Sequence, residues 1–175
     1  MIKVLTTGLF WGATALSAPK IAFFEARDAQ GNLVTMEKGG RYLHVAISVG
    51  DKWLHAHPYW GVQLVNLLSD IGDPALIVTQ EAAPDLTEKD IKQYLHQKYD
   101  TSYSWAAKDK TYCSKLLAQI LNLPPTPMRF SGSIWKNRNS TAPTELGISP
   151  DDIYRELKWR GYRPWSNRCE KLFVP

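Results

Sequence analysis

With 175 residues, 44% of them hydrophobic and 22% charged, the chain has the size and composition of one globular domain, which excludes low complexity and disorder as the main state. The net charge of +4 is uneven: residues 1–125 carry 12 basic and 12 acidic side chains, and the last fifty carry 9 and 5. No dense Lys/Arg run accompanies that excess, so no nucleic-acid partner is expected. Two cysteines, Cys113 and Cys169, are too few for a disulfide framework.

Residues 1–18 place one charge, Lys3, ahead of a mostly apolar or small-residue run with an Ala-x-Ala site at Ala13 and Ala15. This pattern predicts a signal peptide, and with it a periplasmic or secreted protein whose single domain spans residues 19–175. If residues 1–18 instead belong to the fold, the protein is cytoplasmic. The segment is shorter than the ~20 apolar residues of a membrane span, and no other segment approaches that length, so no transmembrane segment is expected.

Strands are predicted for the first eighty residues. IAFFEARDAQGNLVTMEKGG has two apolar runs around Asp28–Asn32, which reads as a hairpin turn. HVAISV, the polar pair Asp51-Lys52 and WLHAH read as a second hairpin, followed by GVQLV and by ALIVTQE at Ala75–Glu81. Helices dominate afterwards. Thr87 and Asp90 have capping-box spacing, with Ile91, Tyr94 and Leu95 on one face. After Asp109, the residues Cys113, Leu116, Leu117, Ile120 and Leu121 form one apolar stripe, stopped by Pro124-Pro125. A third helix starts at Ser149 as N-cap with Pro150 at the first helical position, and ends at Gly161. Between these two, Pro124–Ile148 reads as a long irregular loop. Strands and helices are segregated, which makes the fold class α+β.

Three of the four histidines, His44, His55 and His57, lie on the predicted second hairpin. Strand periodicity puts His55 and His57 on one face. A two-residue loop at Gly50-Asp51 would bring His44 to the same face, opposite His57 and diagonal to His55; a three-residue loop would send it to the other. Such a cluster suits either a three-imidazole zinc site or a nucleophile–base system. Cys113 is the natural nucleophile. It lies in the first turn of its helix, where unpaired N–H groups and the macrodipole favour thiolate. Cys169, in the polar tail SNRCEK, has neither a helix start nor a histidine near it in sequence.

The order of RYLHVAISVG, WLHAH and GVQLV, then KYDTSYSW and TYCSKLL, resembles the circularly permuted relatives of the NlpC-type papain-like cysteine hydrolases, the YaeF/YiiX group. In ordinary NlpC-type enzymes the Cys helix precedes the His strand; here His44 precedes Cys113, and GISPDDIY at 147–154 resembles the segment after the Cys helix. The resemblance implies a circularly permuted papain-like fold, an antiparallel sheet or barrel packed on helices with the Cys at a helix N-terminus. It further implies Cys113 as nucleophile, His44 as general base and His55 as the residue orienting it, with His57 the alternative third member. An ungapped match puts Ala56 at that third position, where no orienting group exists. Tyr99, in KYD, matches a Tyr that precedes the Cys helix, and with Ser114 is a candidate for oxyanion or substrate binding.

The implied reaction is hydrolysis of an amide or ester through an acyl-enzyme, with no metal or organic cofactor. The implied partner is a small peptide, a cell-wall fragment or a lipid-like amide. Trp53, Tyr59, Trp60, Tyr103 and Trp105 flank the motif positions as candidate walls of an apolar cleft. Two other readings predict different things. A zinc hydrolase would use His44, His55 and His57, and a silent binding module on the same scaffold would have a buried, unreactive Cys113.

Overall fold

The computed structural model describes residues 18–128, 133–135 and 146–166; the expected signal peptide, apart from Ala18, and Cys169 lie outside them. The N-terminal strands are β1 (Lys20–Phe24), β2 (His44–Val49), β3 (Lys52–His57), β4 (Gly61–Val65) and β5 (Leu76–Thr79). Next come α1 (Glu88–Ile91), β6 (Lys98–Tyr99), β7 (Lys110–Thr111) and α2 (Cys113–Ile120). The chain closes with β8 (Thr126–Pro127), β9 (Leu146–Gly147), α3 (Pro150–Trp159) and β10 (Arg163–Pro164). Six strands form one sheet in the order β10-β5-β1-β2-β3-β4, antiparallel at each pairing. β6 and β7 pair in parallel, and β8 pairs with β9. The fold is mixed α+β with a mostly antiparallel sheet. Among the described residues no helix is long and apolar enough to cross a membrane.

β2 lies between β1 and β3, so both of its edges are paired, and each of its faces packs into a buried cluster. Val45, Ile47 and Val49 face one side, where they share a buried cluster with Leu54 and Ala56 of β3 and with Cys113, Leu116 and Leu117 of α2. Ala46 points to the other side, into a smaller cluster with Ala22 and Phe24. The β2–β3 register pairs Val49 with Lys52, which leaves Gly50-Asp51 as a two-residue loop; Gly50 takes φ +58°. A tight hairpin needs a left-handed residue there, and Gly supplies it without steric cost.

Three expectations need correction. The helix expected from Thr87 is a single turn, Glu88–Ile91, and Tyr94 and Leu95 lie beyond it. The turn at Asp28–Asn32 forms, with the Asp28 carboxylate accepting the N–H groups of Gln30 and Asn32, but it does not join two sheet strands. Only a bridge between Arg27 and Leu33 follows it, because the ladder edges of β1 are taken by β2 and β5. The helix expected after Asp109 begins three residues later, since Lys110 and Thr111 pair with β6. Cys113 is thereby the first residue of α2, and Tyr112 is the N-cap. The third helix forms as expected. Ser149 Oγ accepts the Asp152 N–H at 2.9 Å and the Asp152 carboxylate accepts the Ser149 N–H at 2.9 Å, a reciprocal cap.

Candidate active site

Strand parity and the two-residue loop put His44, His55 and His57 on one face of the sheet. His44 Nε2 and His55 Nδ1 lie 3.1 Å apart, a hydrogen bond between the two rings. His57 is engaged elsewhere. Its ring stacks on Trp60 with centroids 4.2 Å apart, and its Nδ1 accepts the Tyr59 N–H at 3.1 Å. Ala56 is buried on the opposite face, with α2. Of the two candidates for the third position, His55 is the one bonded to His44.

Both bonded imidazoles are held neutral. Burial, reinforced by the neighbouring histidines, lowers His44 to about 3. Burial and then His57 lower His55 to about 4. Two imidazoles sharing one hydrogen bond need one tautomer each, and a proton added to either meets both a desolvation penalty and a second ring.

Cys113 is 2% exposed. The Val45 N–H, next in the chain after His44, the N–H groups at the start of α2 and the Ser114 side chain lie near enough to its thiol to favour the charged form. These contacts and the helix start favour thiolate, yet burial outweighs them and pushes the thiol up to about 11. The helix-start argument from sequence named a real contribution with the wrong net sign, because desolvation depends on what packs over the thiol. Among the described residues no imidazole hydrogen-bonds the thiol; its link to the histidine strand is the main chain of Val45. Ser114 has one hydroxyl proton and gives it to the Ile148 carbonyl at 2.7 Å, so this buried side chain ties α2 to the segment before α3.

A cleft of about 430 Å³ opens on the imidazole side. Phe24, His44, His55 and His57 contribute from the sheet, Tyr99 from the end of β6, and Ile71 and Tyr103 from the connections. The Tyr99 and Tyr103 hydroxyls are 3.3 Å apart. Among its described lining residues are two carboxylates, Glu25 and Asp73, and no Lys or Arg. Cys113 does not line this cleft. The other expected aromatic walls are dispersed: Trp53 packs beside Ala46, Trp105 against the main core, and Tyr59 and Trp60 project at the β3–β4 tip.

The zinc reading needs three converging donors. Among the described residues no three His, Cys, Asp or Glu side chains are arranged to hold a metal ion. The imidazole row shows why: the facing nitrogens of His44 and His55 bond each other, and His57 turns to Tyr59 and Trp60.

The mixed α+β fold with this mostly antiparallel sheet is YiiX-like. The solved structure that carries this comparison is described as metalloprotein yiiX from Escherichia coli O157:H7. It superposes with a TM-score of 0.59 at 18% identity, over 86% of this chain and 96% of that one. No family model and no curated protein matches the sequence.

Proposed function

We propose that the protein is a papain-like cysteine hydrolase with circularly permuted order, cleaving an amide or ester through an acyl-enzyme. The observation that carries this reading is the triple of Cys113 as first residue of α2, the Val45 N–H on its thiol, and the adjacent His44 bonded to His55 at 3.1 Å. In this mechanism a neutral thiol meets a neutral imidazole: His44 takes the Cys113 proton as sulfur attacks the substrate carbonyl. N–H groups at the start of α2 stabilise the oxyanion. His44 returns the proton to the leaving amine or alcohol, then activates water to release the acyl group. His55 fixes the tautomer and tilt of His44. Because the imidazole row and the Cys helix lie on opposite faces of the sheet, this mechanism requires substrate binding to bring the thiol and His44 together at the start of β2, where Val45 follows His44.

The lining of the cleft selects its substrate. Glu25 is paired with Arg27 and Arg41, so with neutral histidines the described lining carries little net charge and favours an uncharged group. Neutral peptides, cell-wall peptide fragments and lipid-like amides fit that rule.

One observation favours a second reading. A thiol that is 2% exposed and raised to about 11 is what a catalytically silent binding module on this scaffold would contain.

The test is hydrolysis of a panel of neutral peptides, esters and lipid amides by wild type, Cys113→Ala, His55→Ala and His57→Ala. Loss of turnover in Cys113→Ala is expected, with a smaller drop in His55→Ala, which removes the group that orients His44, and little change in His57→Ala. Turnover that survives in Cys113→Ala overturns the mechanism. Binding of a panel member without turnover, and without labelling of Cys113, supports the silent module.

A further inference from the structure

Lys115, two residues beyond Cys113 on α2, is almost wholly buried at 1% exposure. A buried ammonium needs a partner for each of its three donors. Lys115 Nζ has three main-chain carbonyls: Ser104 at 3.0 Å, Ala107 at 2.5 Å and Lys110 at 3.2 Å. Ser104 and Ala107 belong to the connection between the parallel strands β6 and β7, and Lys110 opens β7.

Asp100, fully buried, organises the same connection from its other end. Its carboxylate accepts the Ser102 N–H at 3.0 Å and the Ser104 N–H at 2.9 Å, and pairs with the Lys110 ammonium at 3.1 Å. A carboxylate and an ammonium thus hold the inside of this connection.

Between them Tyr103 adopts φ +54°, a left-handed conformation that is uncommon for an aromatic residue. Its ring packs on Tyr112, the N-cap of the Cys113 helix, at 5.1 Å between centroids, and it lines the cleft. A left-handed aromatic residue persists only where its surroundings over-determine it, and such residues gather at functional sites.

We propose that Lys115 is a positioning residue for the cleft: its ammonium clamps the 100–110 connection to the Cys113 helix and so holds Tyr103 as the aromatic wall beside the imidazole row. The inference rests on the reading of this cleft as the reaction site, while its test needs no turnover. Lys115→Met keeps the stem and removes the charge and all three donors.

The experiment is nitration by tetranitromethane, with each tyrosine read by peptide mass. In the wild type, Tyr59, which is 89% exposed, reacts first, whereas Tyr42 and Tyr103 are protected. In Lys115→Met, Tyr103 is expected to react roughly tenfold faster, by local opening, with Tyr42 in the main core unchanged. An unchanged Tyr103 rate overturns the clamp, and so does a Tyr42 rate that rises in step, because the loss is then one of global stability. If Lys115→Met does not fold, Lys115→Gln, which keeps an amide donor at shorter reach but no charge, decides: Tyr103 should again react several-fold faster than in the wild type, with Tyr42 unchanged. An unchanged Tyr103 rate overturns the proposal.

Discussion

At the scale of single residues, the balance at Cys113 is between a helix start that favours charge and a burial that opposes it. The N–H groups of Val45 and of the first helical residues lower its pKa, and desolvation raises it further than they lower it. The partner imidazoles are depressed by the same cause, to about 3 and about 4, so the resting pair is thiol and imidazole rather than thiolate and imidazolium. This has a measurable consequence. Alkylation of Cys113 by iodoacetamide should climb about tenfold per pH unit up to pH ~10 without a plateau, since only the thiolate reacts. A plateau below pH 7 would mean that a pre-formed thiolate–imidazolium pair exists.

At the scale of elements, the segment Gly147–Asp152 joins three parts of the fold. The Ile148 carbonyl accepts the Ser114 hydroxyl of α2, and the Ile148 N–H donates to the Tyr112 hydroxyl at 3.3 Å. Ser149 caps α3 and donates to Glu37 at 3.1 Å. The Asp151 carboxylate accepts the Arg41 N–H at 2.9 Å, three residues before His44. Gly147 itself has no room for a side chain: an added Cβ would lie 2.1 Å from Met128 Sδ and 2.8 Å from the Tyr112 hydroxyl. Gly147→Ala should therefore cost ~1–3 kcal/mol by overpacking beside the start of the Cys helix. Ser149→Ala should cost about 1 kcal/mol, as a lost cap does. Urea unfolding at neutral pH measures both, and a Gly147→Ala midpoint equal to that of wild type would contradict the packing.

For the whole molecule, the neutral histidine pair couples folding to pH. In the unfolded chain both imidazoles return to the ordinary value of 6.5, whereas the folded ones stay near 3 and 4. Between those limits the unfolded state binds more protons, so stability is complete above pH 6.5 and is lost progressively as pH falls towards 4 and then 3. A loss of at least ~1 kcal/mol between pH 7 and pH 4 is expected from the pair, read as a fall in Tm. His55→Gln should flatten that slope by removing one titrating ring. A slope unchanged in the variant would assign acid sensitivity to the carboxylates instead.

Much of the architecture was legible in the chain because its signals are local. Alternation in KWLHAH determines that His55 and His57 share a face, whereas the β2–β3 register, with its two-residue loop, decided that His44 joins them. The Ser149-Pro150 cap and the stripe from Cys113 to Leu121 determine two helices, and the α+β class follows. The supposed hairpin at Asp28–Asn32 misled because a turn signal does not say which strand its flanks pair with; β5 competes for that edge from fifty residues away. Only the tertiary structure decided which histidine bonds His44, since period two treats His55 and His57 alike while the Trp60 ring captures one of them. It also decided the protonation of Cys113 and the burial of Lys115, which helix periodicity does not mark as a core position. Desolvation is set by groups far apart in the sequence and near in space, and no local pattern encodes it.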